Sequence, residues 1–375
     1  MPQTKKILHV IGVMDRGGAE SLLMNVYRGI DKEKFQFDFL VHEKREGDYD
    51  KEIKKLGGSI YSVRRFVGFN LFQYKNELKN FFFKHHDYDV VHVHIGFPAA
   101  IILHEAKKWN IFTIVHSHAA NVSMGFYGVV YDFFSYPTRY LADYYLACSL
   151  QAGKDRFGKK IVDKGNFYVL KNGIKVRDYI FSKRAREVVR KELGISDGVF
   201  VVGHVGRFVD VKNHAFLIKV FKSFFAINPN SILCLLGRGP NEQKIKHEVE
   251  VLGIAENVRF LGVRDDVPRV LNAFDAFVFP STAEGLGMAA VEAQASGLPC
   301  VLSSGLPQIA FCSVCAEPMD LKEGPEDWAK EIAFFADRLK EWNRRHGAEE
   351  VKASGFDIQD SIKALEDLYN NHCLF

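Results

Sequence analysis

Residues 275–297 read DAFVFPSTAEGLGMAAVEAQASG, and this stretch decides the fold. The apolar run 275–280 predicts a buried strand, and the residues from Met288 onward are helix formers with no breaker before the next glycine. A short loop joins the two, so the stretch predicts a strand, a turn and a helix. Glu284 is then expected in the loop and Glu292 about one turn into the helix.

The loop between strand and helix has the composition of an anion site. Gly285 and Gly287 lie beside the predicted helix N-terminus, where backbone N–H groups and the helix dipole suit a phosphate or pyrophosphate. Two carboxylates flanking such a site cannot hold the anion themselves. Glu284 and Glu292 are therefore expected to accept hydrogen bonds from sugar hydroxyls. The simpler alternative is a capping acid at Glu284 and a surface acid at Glu292.

The same alternation of strand and helix runs through the whole chain. Near-continuous apolar strands separated by helix-length segments predict parallel sheets covered on both faces. A length of 375 residues exceeds one ordinary core, so the fold class is predicted as α/β, with two doubly wound, Rossmann-like domains in tandem. The predicted strands are 7–12, 37–42, 60–63, 90–95, 112–118, 144–149, 167–174, 199–206, 231–237, 258–262, 276–280 and 299–303.

Two further segments help to organise the chain. Residues 175–197 are polar and strongly basic, with a helical stretch around 184–193, and are predicted as the interdomain linker. Residues 359–369 have the apolar spacing of an amphipathic helix. Residues 119–140 show no recognisable pattern.

The composition is that of a soluble globular protein, with 47% hydrophobic and 26% charged residues. Six scattered cysteines include one C-x2-C pair, Cys312 and Cys315, without the second pair that a zinc site needs. Thiols in a reducing cytosol are expected. No signal peptide and no run of eighteen apolar residues is visible, so a cytoplasmic protein is expected.

The charge is uneven, at about +8 for residues 1–180 and about −4 for 181–375, which together give the +4 of the chain. A basic, aromatic N-terminal half is compatible with peripheral contact on anionic membrane and equally with a solvated basic face. Residues 64–69 and 81–84 are the candidate segments. No basic stripe has the density that nucleic acid binding requires.

Two cations follow the strand at 199–206. Arg207 comes directly after it, and Lys212 comes five residues later, before a predicted helix. Cations fixed at a strand end can neutralise the charge that builds on a leaving diphosphate. The alternative is a pair of solvated basic residues, which would be electrostatically unfavourable at a helix start.

Gly17 and Gly18 follow the first predicted strand, where glycines allow the backbone to approach a ligand closely. They do not form the G-x-G-x-x-G pattern that binds dinucleotides, and no other stretch after a strand supplies it. A nicotinamide oxidoreductase is therefore disfavoured, although it would share the doubly wound sheets. A plain tight turn is the alternative for the two glycines.

Histidines occur in pairs at alternate strand positions: His92 with His94, and His116 with His118. Each pair shares one face of the sheet near a carboxyl end. A metal site is one interpretation, but no carboxylate or cysteine joins the four imidazoles.

Taken together, the E-x7-E spacing of Glu284 and Glu292, the G-R-x4-K pattern that contains Arg207 and Lys212, and the G-G-A-E loop at Gly17 resemble one family. This is family 4 of the retaining glycosyltransferases, which have the GT-B fold, and especially the capsular and exopolysaccharide enzymes. The resemblance covers essentially the whole chain and is most specific over residues 199–308.

The resemblance implies a role for each matching residue. Glu284 would contact the hydroxyls of the donor sugar, Glu292 would hold the ribose, and Arg207 and Lys212 would bind the donor phosphates. His116 or His118 would touch the donor sugar and lie at the reacting centre, and the sequence leaves open which of the two does so. Further donor contacts would come from Gly17, Gly18, the loop at Gly237, the turn at Val263 and Arg264, and the backbone amides of Gly285, Leu286, Gly287 and Met288.

The resemblance also implies the domain roles. An N-terminal domain, residues 1–178 with the last helix 358–375 packed back on it, would bind the acceptor. A C-terminal domain, residues 179–357, would bind the nucleotide sugar, with a cleft between the two.

The expected protein is a retaining, metal-independent glycosyltransferase without a cofactor. It would transfer a hexose or N-acetylhexosamine from a UDP-sugar to a growing, lipid-linked glycan, acting in the cytoplasm and peripherally at the inner face of the cell membrane. The alternative is a non-catalytic relative that stabilises or targets a partner enzyme.

Overall fold

The computed structural model describes residues 4–118, 135–338, 344 and 346–372. The chain divides into two compact units, residues 1–174 with 358–375 and residues 175–357. Each unit contains one parallel sheet with helices between successive strands. The predicted α/β class with two Rossmann-like domains is confirmed.

The first unit has seven strands in the order β3-β2-β1-β4-β5-β6-β7. The chain reverses its winding direction between β1 and β4, which is where doubly wound sheets bind their ligands. The strands are β1 Lys5–Val10, β2 Phe35–Val41, β3 Ile60–Ser62, β4 Val90–Val93, β5 Phe112–Ser117, β6 Tyr144–Ala147 and β7 Phe167–Val169. The described helices up to β7 are α1 Gly18–Gly29, α2 Asp50–Lys55, α3 Leu71–Lys84, α4 Ala99–Lys107, α5 Thr138–Leu141, α6 Leu150–Phe157 and α7 Lys159–Val162.

The second unit has six strands in the order β10-β9-β8-β11-β12-β13, with the reversal between β8 and β11. The strands are β8 Phe200–Val205, β9 Ser231–Leu236, β10 Val258–Gly262, β11 Ala276–Phe279, β12 Cys300–Ser303 and β13 Ala316–Met319. The helices are α8 Lys183–Glu192, α9 His214–Ile227, α10 Glu242–Val251, α11 Val267–Val270, α12 Met288–Ala295, α13 Gly324–Arg338 and α14 Gly347–Val351. Shorter 3₁₀ turns are Val176–Tyr179, Asp210–Lys212, Ala255–Asn257, Leu271–Ala273, Gln308–Ala310 and Leu321–Glu323, and a π-type turn spans Lys352–Phe356.

The last helix, α15 Ile358–Asn371, belongs to the first unit. It contributes Ile358, Ile362, Leu365 and Tyr369 to the buried core around β1 and α1. Their spacing of four, three and four residues places them on one face of the helix. This face brings the Tyr369 hydroxyl under the carboxyl half of the first sheet, where it becomes part of the site described below.

The segment predicted as an interdomain linker is instead part of the second unit. Ser182 caps α8 by accepting a hydrogen bond from the backbone N–H of Ala185 at 3.2 Å. Arg186 and Arg190 both reach Asp275, at 2.5 and 2.9 Å. The linker prediction was wrong because these arginines look like a solvated basic run in the sequence but pair with a buried carboxylate in the fold.

The strand β13 was not predicted from the sequence. Its sequence is AEPM, in which a charged residue and a proline interrupt the apolar pattern. Proline is tolerated here because β13 lies at the edge of the sheet.

Candidate functional site: two strand-end clusters

In the second unit, the loops after β8 and β11 lie at the reversal point of the sheet and are bonded to each other. The backbone N–H of Thr282, in the loop after β11, donates to the carbonyl of Val211 at 2.9 Å. Val211 lies in the turn Asp210–Lys212 that follows β8. This contact fixes the side chains of Lys212 and Glu284 on neighbouring loops.

Lys212 and Glu284 form an ion pair in which the ammonium Nζ lies 2.6 Å from Oε1. Both side chains are largely buried, with exposed fractions of 17% and 13%. The same Nζ lies 4.7 Å from the centroid of the Phe279 ring, a cation–π contact. The structure therefore brings together two predicted site residues that are 72 positions apart. An ammonium has three N–H donors, so an incoming anion can share it with Glu284.

Arg207, the other predicted cation, stands at the carboxyl end of β8 but is exposed. Within the described residues its guanidinium makes no ion pair. The two cations thus differ: Lys212 is held in place by a carboxylate, whereas Arg207 extends toward solvent.

The predicted anion loop leads into α12. Gly287 precedes the helix with φ of 82°, a left-handed conformation that favours glycine, and no side chain caps the helix start. The first turn of a helix leaves backbone N–H groups without intrahelical acceptors, and the dipole adds positive potential. Gly285, Leu286 and Met288 complete this loop next to Glu284.

Glu292 lies in α12 and is partly buried. Burial raises the pKa of its carboxyl to about 7, and a hydrogen bond from the Tyr179 hydroxyl acts in the opposite direction. Tyr179 itself is buried in the turn Val176–Tyr179. Sequence reasoning missed this tyrosine, because no motif or periodic pattern marks it.

The loop at Gly237 and the turn at Val263 and Arg264, both predicted to contact the donor, lie at the same carboxyl edge. The backbone N–H of Gly237 donates to the carbonyl of Gly262 at 2.8 Å, which links the loops after β9 and β10. Gly237 has φ of 135°, and a Cβ there would lie 2.0 Å from the carbonyl oxygen of Gly206. Only glycine fits this close approach. Val263 is exposed, and Arg264 is engaged by Asp266 through two hydrogen bonds of 2.8 Å.

In the first unit, the carboxyl ends of β1, β4 and β5 carry five imidazoles. His92 pairs in register with His9 of β1, and the four predicted histidines join His9 in one cluster. The Nδ1 of His9 lies 3.0 Å from Nε2 of His94, and the Nδ1 of His94 lies 2.9 Å from Nε2 of His118. His9 went unnoticed in the sequence, although it lies on the first strand at the same alternating register as the others.

The remaining contacts of this cluster involve His92 and His116. The Tyr369 hydroxyl lies 2.8 Å from Nδ1 of His92, and the rings of His92 and His116 stack with centroids 5.4 Å apart. Four buried ring nitrogens of this cluster have no hydrogen-bond partner among the described residues: Nε2 of His9, His92 and His116, and Nδ1 of His118.

Burial sets the charge of this cluster. It lowers the pKa of His9 to about 3 and that of His118 to about 4, and it holds the pKa values of His92, His94 and His116 well below the usual range. All five rings are therefore neutral at pH 7. Neutral imidazoles can donate and accept hydrogen bonds, and they are also the metal-binding form. Two triads, His9-His92-His94 and His94-His116-His118, have ring nitrogens within 4.8 Å of one another.

Gly17 and Gly18 lie at the start of α1, after the loop that follows β1. Gly17 is the residue before the helix, in an extended conformation, and the carboxylate of Glu20 folds over it. A Cβ on Gly17 would lie 2.3 Å from the Glu20 Oε2, so a larger residue there would displace the end of this flexible side chain. Residues 119–134 of the unassigned segment lie outside the described residues.

Comparisons with known proteins match both units. The profile of the family "Glycosyltransferase Family 4" matches residues 16–178, and that of "Glycosyl transferases group 1" matches residues 185–310. The putative glycosyltransferase EpsF of Bacillus subtilis (strain 168) is 32% identical over 98% of this chain and 96% of its own length. The chain belongs to glycosyltransferase family 4.

Two further relatives cover nearly all of this glycosyltransferase. The capsular polysaccharide biosynthesis glycosyltransferase CapH of Staphylococcus aureus is 23% identical over 98% of this chain and 99% of its own. Among solved structures, Anabaena Alr3699/HepE in complex with UDP superposes with a TM-score of 0.81 at 18% identity, over 98% of this chain and all of that one. The similarity confirms the GT-B fold of the glycosyltransferase.

Every helix in the described part of the glycosyltransferase is too short or too polar to cross a lipid bilayer.

Proposed function

We propose that the protein is a retaining, metal-independent glycosyltransferase that uses a UDP-sugar. It would transfer a hexose or N-acetylhexosamine to a growing, lipid-linked glycan in polysaccharide biosynthesis. The observation that carries the proposal is the contact between Lys212 and Glu284 beside the start of α12. One cation, one acid and a helix N-terminus offer complementary partners for a diphosphate and for the hydroxyls of its sugar.

Each cluster has a distinct part in this proposal. Lys212 and Arg207 would stabilise the diphosphate as it leaves, with the loop amides before α12. Glu284 would orient the sugar, and Glu292 would hold the ribose. His116 or His118 would support the oxocarbenium-like centre as a neutral ring, and the departing phosphate would assist deprotonation of the acceptor. The configuration of the sugar would then be kept without a protein nucleophile.

The choice of UDP and of a glycan acceptor is supported by relatives. HepE was solved with UDP, and CapH is named for capsular polysaccharide biosynthesis. The proposed division of labour assigns donor binding to residues 179–357 and acceptor binding to residues 1–178 with 358–375. The basic charge of residues 1–180 supports an acceptor carried on a lipid.

A panel of sugar nucleotides tests the proposal. UDP-glucose, UDP-galactose, UDP-N-acetylglucosamine and the GDP and ADP analogues are incubated with the protein and a membrane extract, and transfer to extractable lipid is measured. The expected result is turnover with one UDP-sugar and an unchanged anomeric configuration in the product. Inversion of the anomeric centre, or turnover with a GDP- or ADP-sugar alone, would contradict the proposal.

A thermal shift assay separates the chemistry from the fold. UDP is expected to raise the melting temperature, because a ligand that binds only the native state stabilises it, and NAD is not. Stabilisation by UDP together with an absence of transfer to any donor–acceptor pair would favour the non-catalytic relative.

A further inference from the structure

Helix α3 in the first unit exposes aromatic side chains to solvent, which is unusual for a surface helix. Tyr74, Leu78, Phe81 and Phe82 pack into the core. On the exposed surface of the helix, Phe72, Lys75, Lys79 and Phe83 follow at intervals of three, four and four residues. The solvent side of this helix therefore carries aromatic rings where polar side chains alone are expected.

The exposure of these rings is extreme. Phe69, in the loop before the helix, is 93% exposed, Phe72 is 87% exposed, and Phe83 is 68% exposed. Phe83 also lies beside Trp109, with ring centroids 6.4 Å apart. We call Phe69, Phe72, Lys75, Lys79 and Phe83 the α3 face. Exposed aromatic residues grouped on one face mark a contact surface rather than random exposure.

The charges around the α3 face are almost all positive. Residues 64–84 contain five cations and a single acid, Glu77. Glu77 is already paired with Arg64, whose Nε lies 2.5 Å from its carboxylate. The exposed cations that remain are Arg65, Lys75, Lys79 and Lys84.

We propose that the α3 face docks on a bilayer that contains anionic lipid, with the helix lying parallel to the membrane plane. A helix of 14 residues extends about 21 Å, so Phe69 and Phe72 at one end and Phe83 at the other can enter the headgroup region together. Lys75 and Lys79 between them would lie against lipid phosphates. The occupant is identified by this combination, because rings separated by lysines suit an anionic interface better than an apolar protein groove.

This inference goes beyond the proposed function and does not depend on the donor site. It would hold the enzyme, whose described helices are too short or too polar to cross a bilayer, beside an acceptor that is carried on a lipid. It also selects the anionic-membrane interpretation of the basic N-terminal half over a merely solvated face.

Vesicle sedimentation without nucleotide tests the proposal. The full chain is mixed with vesicles of phosphatidylglycerol and phosphatidylcholine, or of phosphatidylcholine alone, at low and high salt. The chain is expected to pellet with the anionic vesicles only, and less at high salt because exposed charges are screened. The double variant Lys75→Glu/Lys79→Glu should lower the vesicle partition coefficient by about tenfold or more, and Phe69→Ser/Phe72→Ser should lower it similarly.

Matched controls come from the second unit. Lys219→Glu/Lys222→Glu makes the same charge change on α9, and Val251→Ser with Ile227→Ser removes apolar side chains that are 72% and 53% exposed. Both controls should bind vesicles like the wild type. Melting temperature and UDP affinity, unchanged in all variants, would show that folding and the donor site are intact.

Three results would overturn the proposal. The first is an absence of binding to anionic vesicles by the wild type. The second is an equal loss of binding in the controls. The third is a dimer of the wild type that the α3 variants dissociate without any vesicle binding, which would assign the face to a second copy of the chain.

Discussion

The carboxyl edges of the two sheets lie at equivalent points of two similar folds, but one carries neutral groups and the other carries charged groups. In the first unit, the reversal between β1 and β4 collects five neutral imidazoles. In the second, the reversal between β8 and β11 collects an ammonium, a carboxylate and a helix N-terminus. The fold therefore determines where a site can form, and the residues on the strand-end loops determine its chemistry: neutral hydrogen bonding in one unit and charge stabilisation in the other.

The largest effect should come from the charged pair of the second unit. Lys212→Ala and Glu284→Ala are each expected to lower kcat by about two orders of magnitude or more, because each removes a group proposed to act on the donor. Steady-state kinetics with the preferred sugar nucleotide measure this, and Lys219→Ala on the exposed side of α9 is the control. Rates like those of the wild type in both variants would show that Lys212 and Glu284 do not take part in the reaction.

The buried neutral histidines of the first unit should make the stability of the fold sensitive to acid. A histidine whose pKa is lower in the folded than in the unfolded state gives stability that is complete above about pH 6.5 and is lost as the pH falls toward the folded value. Each of the five rings contributes in this direction. For His9, the loss between pH 7 and pH 5 is about 2 kcal/mol.

His9→Phe tests this directly, because Phe37 and Phe39 already surround that ring with centroids 4.3 and 5.5 Å away. The urea midpoint of the variant should fall less than that of the wild type when the pH is lowered from 7 to 5. Equal pH dependence of the two proteins would mean that His9 is not a buried neutral ring.

Glu292 in the second unit should show the opposite sign. Its pKa is raised above the unfolded value, so the folded state holds the proton more tightly, and the associated stability is lost as the pH rises from about 4.5 through about 7. Glu292→Gln cannot titrate. Its melting temperature relative to the wild type should therefore be higher at pH 8 than at pH 5, and a difference that does not change with pH would contradict the assignment.

The smallest expected effect is that of metal removal. The proposed reaction draws its positive charge from Arg207 and Lys212, so dialysis against EDTA is expected to leave the rate unchanged. A rate that is lost and then restored by a divalent cation would assign a metal to the histidine triads. The carboxyl edges of both sheets would then carry charged groups, contrary to the proposal. A reaction without enzyme gives the background rate, and a dialysis without chelator controls for loss of activity during the dialysis itself.

Much of the fold could be predicted from the sequence because buried parallel strands are short apolar runs. The predicted strands at 258–262 and 276–280 correspond to β10 and β11 within one residue. The edge strand β13 was not predicted because Glu317 and Pro318 interrupt its apolar pattern. Helix α8 was predicted as a helix but assigned to a linker, because its arginines pair with the buried Asp275 rather than with water. The sequence also predicted which loops carry Lys212 and Glu284, since residues that follow parallel strands meet at one edge.

The partners of those residues could not be predicted in the same way. The pairing of Lys212 with Glu284 depends on a backbone hydrogen bond between loops, and that of Tyr179 with Glu292 depends on the packing of a turn against α12. Neither contact leaves a periodic pattern in the sequence. His9 did leave one, but a single histidine on a strand carries little information until the neighbouring strands are aligned in register.

The most direct test of the central claim is a calorimetric titration of UDP into the wild type, Lys212→Ala and Lys219→Ala. The account predicts saturable binding to the wild type, affinity weakened by about tenfold or more in Lys212→Ala through the loss of a charge-assisted contact with phosphate, and unchanged affinity in Lys219→Ala. Absence of UDP binding to the wild type, or equal affinity in the two variants, would contradict it.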